Sequence, residues 1–464
     1  MKILCGLKNG AVLQRNLDNL CVCTFFAEAL GEIRSSMGSV HSLGDNKYEL
    51  VGIGVGGPYE ITLSDDDGEL TLCDLYVGDV WLLAGQSNME GAGRMTPEDD
   101  AYIADARLRA FYMNDSWDAA RPMLHQLYES DDPAHKRSWQ SNLDSLRERD
   151  LVIYDNPPYP QRRGVGPGLY FAKEMYRLTE GVPQGLIATA VGGAPIEMWL
   201  PNGEENYYTA AVRRIAACGG NIRGVFWAQG EGNPNHEIYP SQIESIRRDL
   251  CQKTGKSEIP FVQMQSFRCT VCIGDASADA TWSRFRQMQW TMPEGTSTLA
   301  TVATNDLELD DCIHLSSDAQ KIAGCRAARA MHYLLTGEGA PEPTLDSVYT
   351  TKNPYVPALF SEIHLKYKNV TGVLSSSGVP FGFTIRRKDA DTAPSMKNVQ
   401  RIVVEGDEVV LRVEIPEQEL SSYEVWYGYG NDFYCNITDG ADRAIPSMGP
   451  IGIGEPSHKE RTDR

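Results

Sequence analysis

Between residues 76 and 337, short apolar runs alternate with stretches of helical period, and this alternation most constrains the fold. The runs "DVWLLAG", "GLIATAVGG", "RGVFWAQG", "PFVQMQSF" and "TLATVATNDL" are apolar enough for strands buried on both faces. "GPGLYFAKEMYRLTEG" places Leu169, Ala172, Met175 and Tyr176 at helical spacing and stops at Gly181. "YPSQIESIRRDLCQKTG", "TWSRFRQMQWTM" and the serine-capped "SSDAQKIAGCRAARAMHYLL" read as further helices. Strand followed by helix, repeated, predicts βαβ units and a mostly parallel sheet covered on both faces. The expected class is α/β.

The flanks have a different period. Residues 1–75 carry short β-like segments such as "CVCTFFAEAL" and "YELVGIGVGG", punctuated by "LGDNK" and "SDDDGE". A Pro-rich connector, "GEGAPEPTLDSVYTTKNPYVP", precedes a second β-like region containing "FGFTIRRK", "RIVVEGDEVVLRVE" and "EVWYGYGNDFY". Three segments are expected: an N-terminal β domain at 1–75, an α/β domain at 76–337 and a C-terminal β domain at 338–464.

Charge narrows the partners. A formal net charge of −20 argues against nucleic acid and against an anionic membrane surface. No apolar run has the length to cross a membrane. The N-terminus "MKILCGLKNGAVLQRN" makes a poor signal peptide, and eleven scattered cysteines suit a reducing compartment. The expectation is a cytoplasmic protein, with a secreted mature form left open.

In open parallel sheets ligands bind beyond the carboxyl ends of the strands. Four short pieces stand at such ends: Gly85-Gln86-Ser87-Asn88-Met89, Gly192-Gly193-Ala194-Pro195-Ile196-Glu197, Gln229-Gly230-Glu231-Gly232-Asn233, and Asp310-Asp311-Cys312-Ile313-His314. Together they hold the parts for acyl transfer. A serine hydroxyl needs a base, and imidazole titrates near neutrality. The imidazole needs a carboxylate or carbonyl to fix its tautomer, and Asp311 lies three residues before His314. Donors for an oxyanion are available from the N–H of Ser87, the N–H of Gly193 and the Asn233 amide. Each piece has a plainer reading as a turn or a cap. Their joint occurrence, in order, at four strand ends favours chemistry.

The blocks "GQSNM", "GGAPIEMW", "WAQGEGN" and "DCIH" together resemble the SGNH-hydrolase superfamily. More narrowly, they resemble sialate O-acetylesterases and related carbohydrate acetylesterases. The resemblance is strong over 76–337 and loose at both ends. It implies a three-layer α/β/α, flavodoxin-like catalytic domain with a mostly parallel sheet, flanked by N- and C-terminal β-sandwich-like segments. It implies Ser87 as nucleophile, His314 as general base, and an oxyanion hole from Ser87, Gly193 and Asn233. The implied reaction removes O-acetyl groups from sialic acid or acetylated hemicellulose, with no cofactor and no metal. Either Asp311 or Glu231 completes the triad. Asp311 is favoured because three residues of loop let both side chains converge, with Asp310 as a neighbour able to compensate. Gln86, Asn88, Gln229 and Trp199 are candidate substrate-binding residues, Trp199 as a stacking face.

The chain departs from the family pattern at Ala194, Gly232 and Leu315, none of which removes a catalytic group. Residues 90–165 carry no motif and read either as a substrate wall or as a surface insertion. Two other functions stay open: hydrolysis of a different acyl ester or thioester, and carbohydrate binding without catalysis. Oligomeric state is left open.

Overall fold

The strand Glu69–Gly85 runs for 17 residues and belongs to two pairings at once. Its first half pairs antiparallel with Gly56–Ser64, from Ser64 opposite Glu69 to Tyr59 opposite Leu75. Its second half lies parallel to Gln184–Ala188 on one side and Gly224–Ala228 on the other. The computed structural model describes residues 1–453 apart from 103, 149–163, 234–236, 273, 354, 357, 389–395 and 398. The chain divides into two compact units. The first comprises Met1–Gly232, Ile238–Gln263 and Glu308–Leu335, and the second Asn233–Glu237, Met264–Leu307 and Thr336–Arg464.

In the first unit, the parallel sheet is built around that long strand. Leu108–Phe111 lies parallel to Gln184–Ala188, and residues Phe261 to Gln263 lie parallel to Val225 to Trp227. Trp117–Ala119 closes one edge as an antiparallel hairpin partner of Leu108–Phe111. All five residues of Gln184–Ala188 and of Gly224–Ala228 are buried, as expected for strands covered on both faces. Phe226 and Trp227 are adjacent on one strand and so point to opposite faces. Phe226 stacks on Phe171 of the helix Gly168–Leu178, with ring centroids 5.1 Å apart. Trp227 meets Trp199 edge-on at 5.3 Å and donates its indole N–H to Tyr239, which opens the helix Tyr239–Thr254. The two faces are thus covered by different elements, giving three layers.

A separate antiparallel sheet, in the order Lys2–Cys5, Leu20–Glu28, Lys47–Gly54, Ser39–Gly44, forms the N-terminal part of the same unit. The boundary expected at residues 75/76 falls inside one continuous strand, so the N-terminal β region and the parallel sheet share a unit. The region without motifs contains the helix Pro133–Glu148, and its residues 149–163 lie outside the described residues.

The second unit holds two antiparallel sheets on one core. One is ordered Thr344–Lys352, Ser361–Lys368, Glu408–Val413, Val399–Glu405, and the other Met396–Lys397, Phe383–Arg387, Tyr423–Tyr427, Met448–Gly452. Ile363, Leu365, Leu411, Ile385 and Val425 from both sheets are buried together. The helix Ala276–Thr291, capped by Asp275, belongs to this unit and starts earlier than its periodicity predicts, because the cap sits at residue 275. Met264–Leu307 joins this unit for a local reason. The buried Arg286 guanidinium donates to the carbonyls of Phe267 and Gly428, and Gln265 donates to the carbonyl of Ser447. Those bonds tie Met264–Leu307 to the C-terminal β region. Among the described residues, no helix is long and apolar enough to cross a membrane.

Candidate active site

The long strand ends on a residue that only glycine suits. Gly85 has φ +134°, and a Cβ there would stand 2.0 Å from the carbonyl oxygen of Ala228 on the neighbouring strand. The next amide, Gln86 N–H, donates to that same carbonyl at 2.8 Å. The chain then turns at once into the short helix Ser87–Glu90, with the amides of Met89 and Glu90 donating to Gln86 O. Ser87 is thereby placed at the carboxyl end of the sheet with 9% of its surface exposed.

His314 arrives on a loop pinched closed by a bridge between Leu309 and Leu315. Asp310 N–H donates to His314 O at 2.9 Å. Asp311 Oδ1 accepts the amides of Ile313 and His314, each at 2.8 Å. Asp311 Oδ2 lies 2.7 Å from His314 Nδ1, and His314 Nε2 lies 2.9 Å from Ser87 Oγ. A carboxylate only accepts, so the ring proton belongs on Nδ1 and Nε2 is left to accept the serine hydroxyl. Burial alone would raise the Asp311 carboxyl. Hydrogen bonds from the His314 ring and from the Ile313 and His314 amides outweigh it and hold the carboxyl below its ordinary value. The Asp311 and His314 side chains are 52% and 25% exposed, so the dyad opens to solvent.

Glu231 is placed differently. Its carboxyl is raised by burial, opposed by its own amide, by His314 and by a hydrogen bond from Asn88. Asp311, not Glu231, occupies the Nδ1 side of the ring. Asp310 does not turn toward the ring, because its Oδ2 accepts Arg94 N–H at 2.6 Å.

A family model described as carbohydrate esterase, sialic acid-specific acetylesterase, matches residues 77–333, more than half of the chain. The chain belongs to that family. Among relatives of this chain, a protein named "Probable carbohydrate esterase" from Arabidopsis thaliana is 28% identical over 177 residues, which is 36% of this chain and 63% of that one. The Homo sapiens sialate O-acetylesterase is 27% identical over 280 residues, 51% of this chain and 48% of its own length. The chain therefore spans 48% to 63% of the length of the curated relatives it matches. A crystal structure of a carbohydrate acetylesterase from Xanthomonas citri shares the fold, with TM-score 0.71 and 21% identity over 96% of this chain and 99% of that one.

The remaining predicted site residues fall in two groups. Gly193 is exposed at φ +70°, and the space around its Cβ position is empty to 4 Å, so its backbone is open to an incoming group. Asn233 is half-buried and belongs to the second compact unit. Gln86, Asn88, Gln229 and Trp199, read as substrate-binding, are all buried. Gln86 Oε1 accepts Gly232 N–H at 3.3 Å, and Gln229 Nε2 donates to Ala194 O at 3.3 Å. These amides lace the strand-end loops to one another, and Trp199 packs on Trp227. Gln86 and Gln229 directly follow strands, and Trp199 closes the short helix Ile196–Trp199. Their direction depends on backbone dihedrals that periodicity does not encode.

One residue escaped the sequence reading. Asp99 is buried, and its Oδ2 accepts Thr96 Oγ1 at 2.9 Å and Ser317 Oγ at 3.0 Å, while Oδ1 faces Lys321 at 3.1 Å. It fastens the segment after Ser87 to the helix Ser317–Thr336 that follows His314. The signal was present as a capping box, Thr96 with Asp99 three residues on. Among the described residues, no three His, Cys, Asp or Glu side chains group where they would hold a metal ion.

Proposed function

We propose that the protein is a serine esterase that removes O-acetyl groups from carbohydrate through an acetyl-enzyme. The observation that carries this is the continuous line from Ser87 Oγ through both nitrogens of His314 to Asp311, at 2.9 and 2.7 Å. Ser87 Oγ attacks the acetyl carbonyl as His314 Nε2 takes its proton. The tetrahedral oxyanion is received by the N–H of Ser87 and Gly193. Collapse breaks the ester C–O bond, and the sugar hydroxyl leaves with the proton from His314. Water, deprotonated by His314, then attacks the acetyl group and releases acetate. Asp311 keeps the proton on Nδ1 and stabilises the imidazolium that forms in each half. The family description and the human relative's name support O-acetylated sialic acid as the substrate, with acetylated hemicellulose as the other class to try.

The test is acetate release by the wild type and Ser87→Ala from 4-nitrophenyl acetate, O-acetylated sialic acid and acetylated xylan. Release by the wild type alone supports the reading, and the preferred substrate names the sugar. Equal release by both proteins refutes Ser87 as nucleophile.

A further inference from the structure

We propose that Asn88 is a positioning residue that holds His314 in register with Ser87; this rests on the esterase reading above. Asn88 follows Ser87 on the same helical turn, where successive side chains diverge by about 100°. Ser87 therefore faces the histidine ring while Asn88 faces the loop that carries it. Asn88 has 0% of its surface exposed, so no substrate reaches it.

Its contacts bracket His314. Asn88 Oδ1 accepts the amide of Leu315 at 3.1 Å, and Asn88 Nδ2 donates to the carbonyl of Ile313 at 3.4 Å. The peptides on both sides of His314 are thus held by one side chain. Oδ1 also accepts Gln320 Nε2 at 3.1 Å, from the helix that follows the loop. The NH₂ group further donates to the Glu231 carboxylate. A primary amide offers two donors and two acceptor sites, and all four are used. The set also fixes which way the amide points, since a flipped group would put NH₂ against two donors. Leucine would satisfy none of these partners. Aspartate would keep the acceptor and set a second acceptor against Ile313 O and Glu231.

The consequence is mechanical. Ser87 and His314 are 227 residues apart in sequence, and their 2.9 Å contact needs a link that does not stretch. Asn88 supplies it, because any shift of the His314 loop breaks bonds to the residue adjoining Ser87.

The experiment is a double-mutant cycle on 4-nitrophenyl acetate hydrolysis with the wild type, Asn88→Ala, His314→Ala and the double variant, beside Ser87→Ala. Misplacing a reacting group by about 1 Å costs on the order of 10²-fold, so Asn88→Ala should lower kcat about 100-fold with KM within about threefold. In the His314→Ala background the same change should cost less than about threefold, because the group it positions is gone. An equal loss in both backgrounds overturns the proposal, as does a kcat for Asn88→Ala within about threefold of wild type. If Ser87→Ala retains full activity, the esterase reading fails instead. Should Asn88→Ala not fold, Asn88→Asp keeps the shape and removes the donors. It should lose about tenfold or more in kcat, again only when His314 is present.

Discussion

Asp311 engages His314 twice, with Oδ1 on its backbone N–H at 2.8 Å and Oδ2 on its ring Nδ1 at 2.7 Å. One carboxylate therefore sets both the turn that presents the histidine and the tautomer of its ring. Such a residue affects the reaction more than its solvent exposure suggests.

Replacing Asp311 with Asn keeps the size but turns one oxygen into a donor that faces Nδ1. The wrong tautomer is then favoured, and kcat on 4-nitrophenyl acetate should fall roughly 10³- to 10⁴-fold. Asp310 does not compensate, because its carboxylate is committed to Arg94 N–H. A loss under tenfold would show that another group orients the ring.

Glu231→Gln should behave in the opposite way. A carboxyl raised in the folded state contributes stability in its protonated form, and that contribution is lost as pH rises through the folded value. Gln carries no charge to bury. The variant's melting temperature should match wild type at low pH and exceed it at neutral and higher pH. Its loss of kcat should be smaller than that of Asp311→Asn. Thermal melts across pH and one rate comparison test both statements.

Two buried histidines predict acid sensitivity. Burial first, then the charge of Arg214, pushes His125 down to about 3 and His135 down to about 4, from the ordinary 6.5. The unfolded chain takes up these protons before the folded one does. The stability is therefore full above the unfolded value and drains away as pH falls from 6.5 toward about 4 for His135 and about 3 for His125. His125→Gln removes one titrating group and should flatten the slope of melting temperature against pH in that window. An unchanged slope would show that His125 does not carry the linkage.

Gly85 is the backbone counterpart. Gly85→Ala adds a Cβ 2.0 Å from Ala228 O at a φ of +134° and should cost about 3 kcal/mol or more of stability. Gly193→Ala meets no neighbour and should cost only about 1–2 kcal/mol, from its left-handed φ. Chemical denaturation of the two variants should separate them clearly.

The sequence by itself determined the α/β class, the order of the main strands and helices, and the four blocks that reach the carboxyl ends of strands. Burial on both faces and helical spacing are local signals, written in residues a few positions apart. The tertiary structure decided what those signals leave degenerate. Spacing admits both Asp311 and Glu231 beside His314, and only the loop closed by Leu309 and Leu315 turns Asp311 onto the ring. Gln86 and Asn88 follow the end of a strand in sequence, yet they point into the protein because Gly85 redirects the chain within a single residue, and Gln229, after the neighbouring strand, is buried as well. The units were likewise decided in three dimensions. One strand crosses residue 75 unbroken, and Arg286 binds carbonyls more than a hundred residues away. Side-chain direction at a strand end, and partnership across long stretches of chain, are set by one or two dihedrals and a few buried polar bonds, which hydrophobic periodicity does not record.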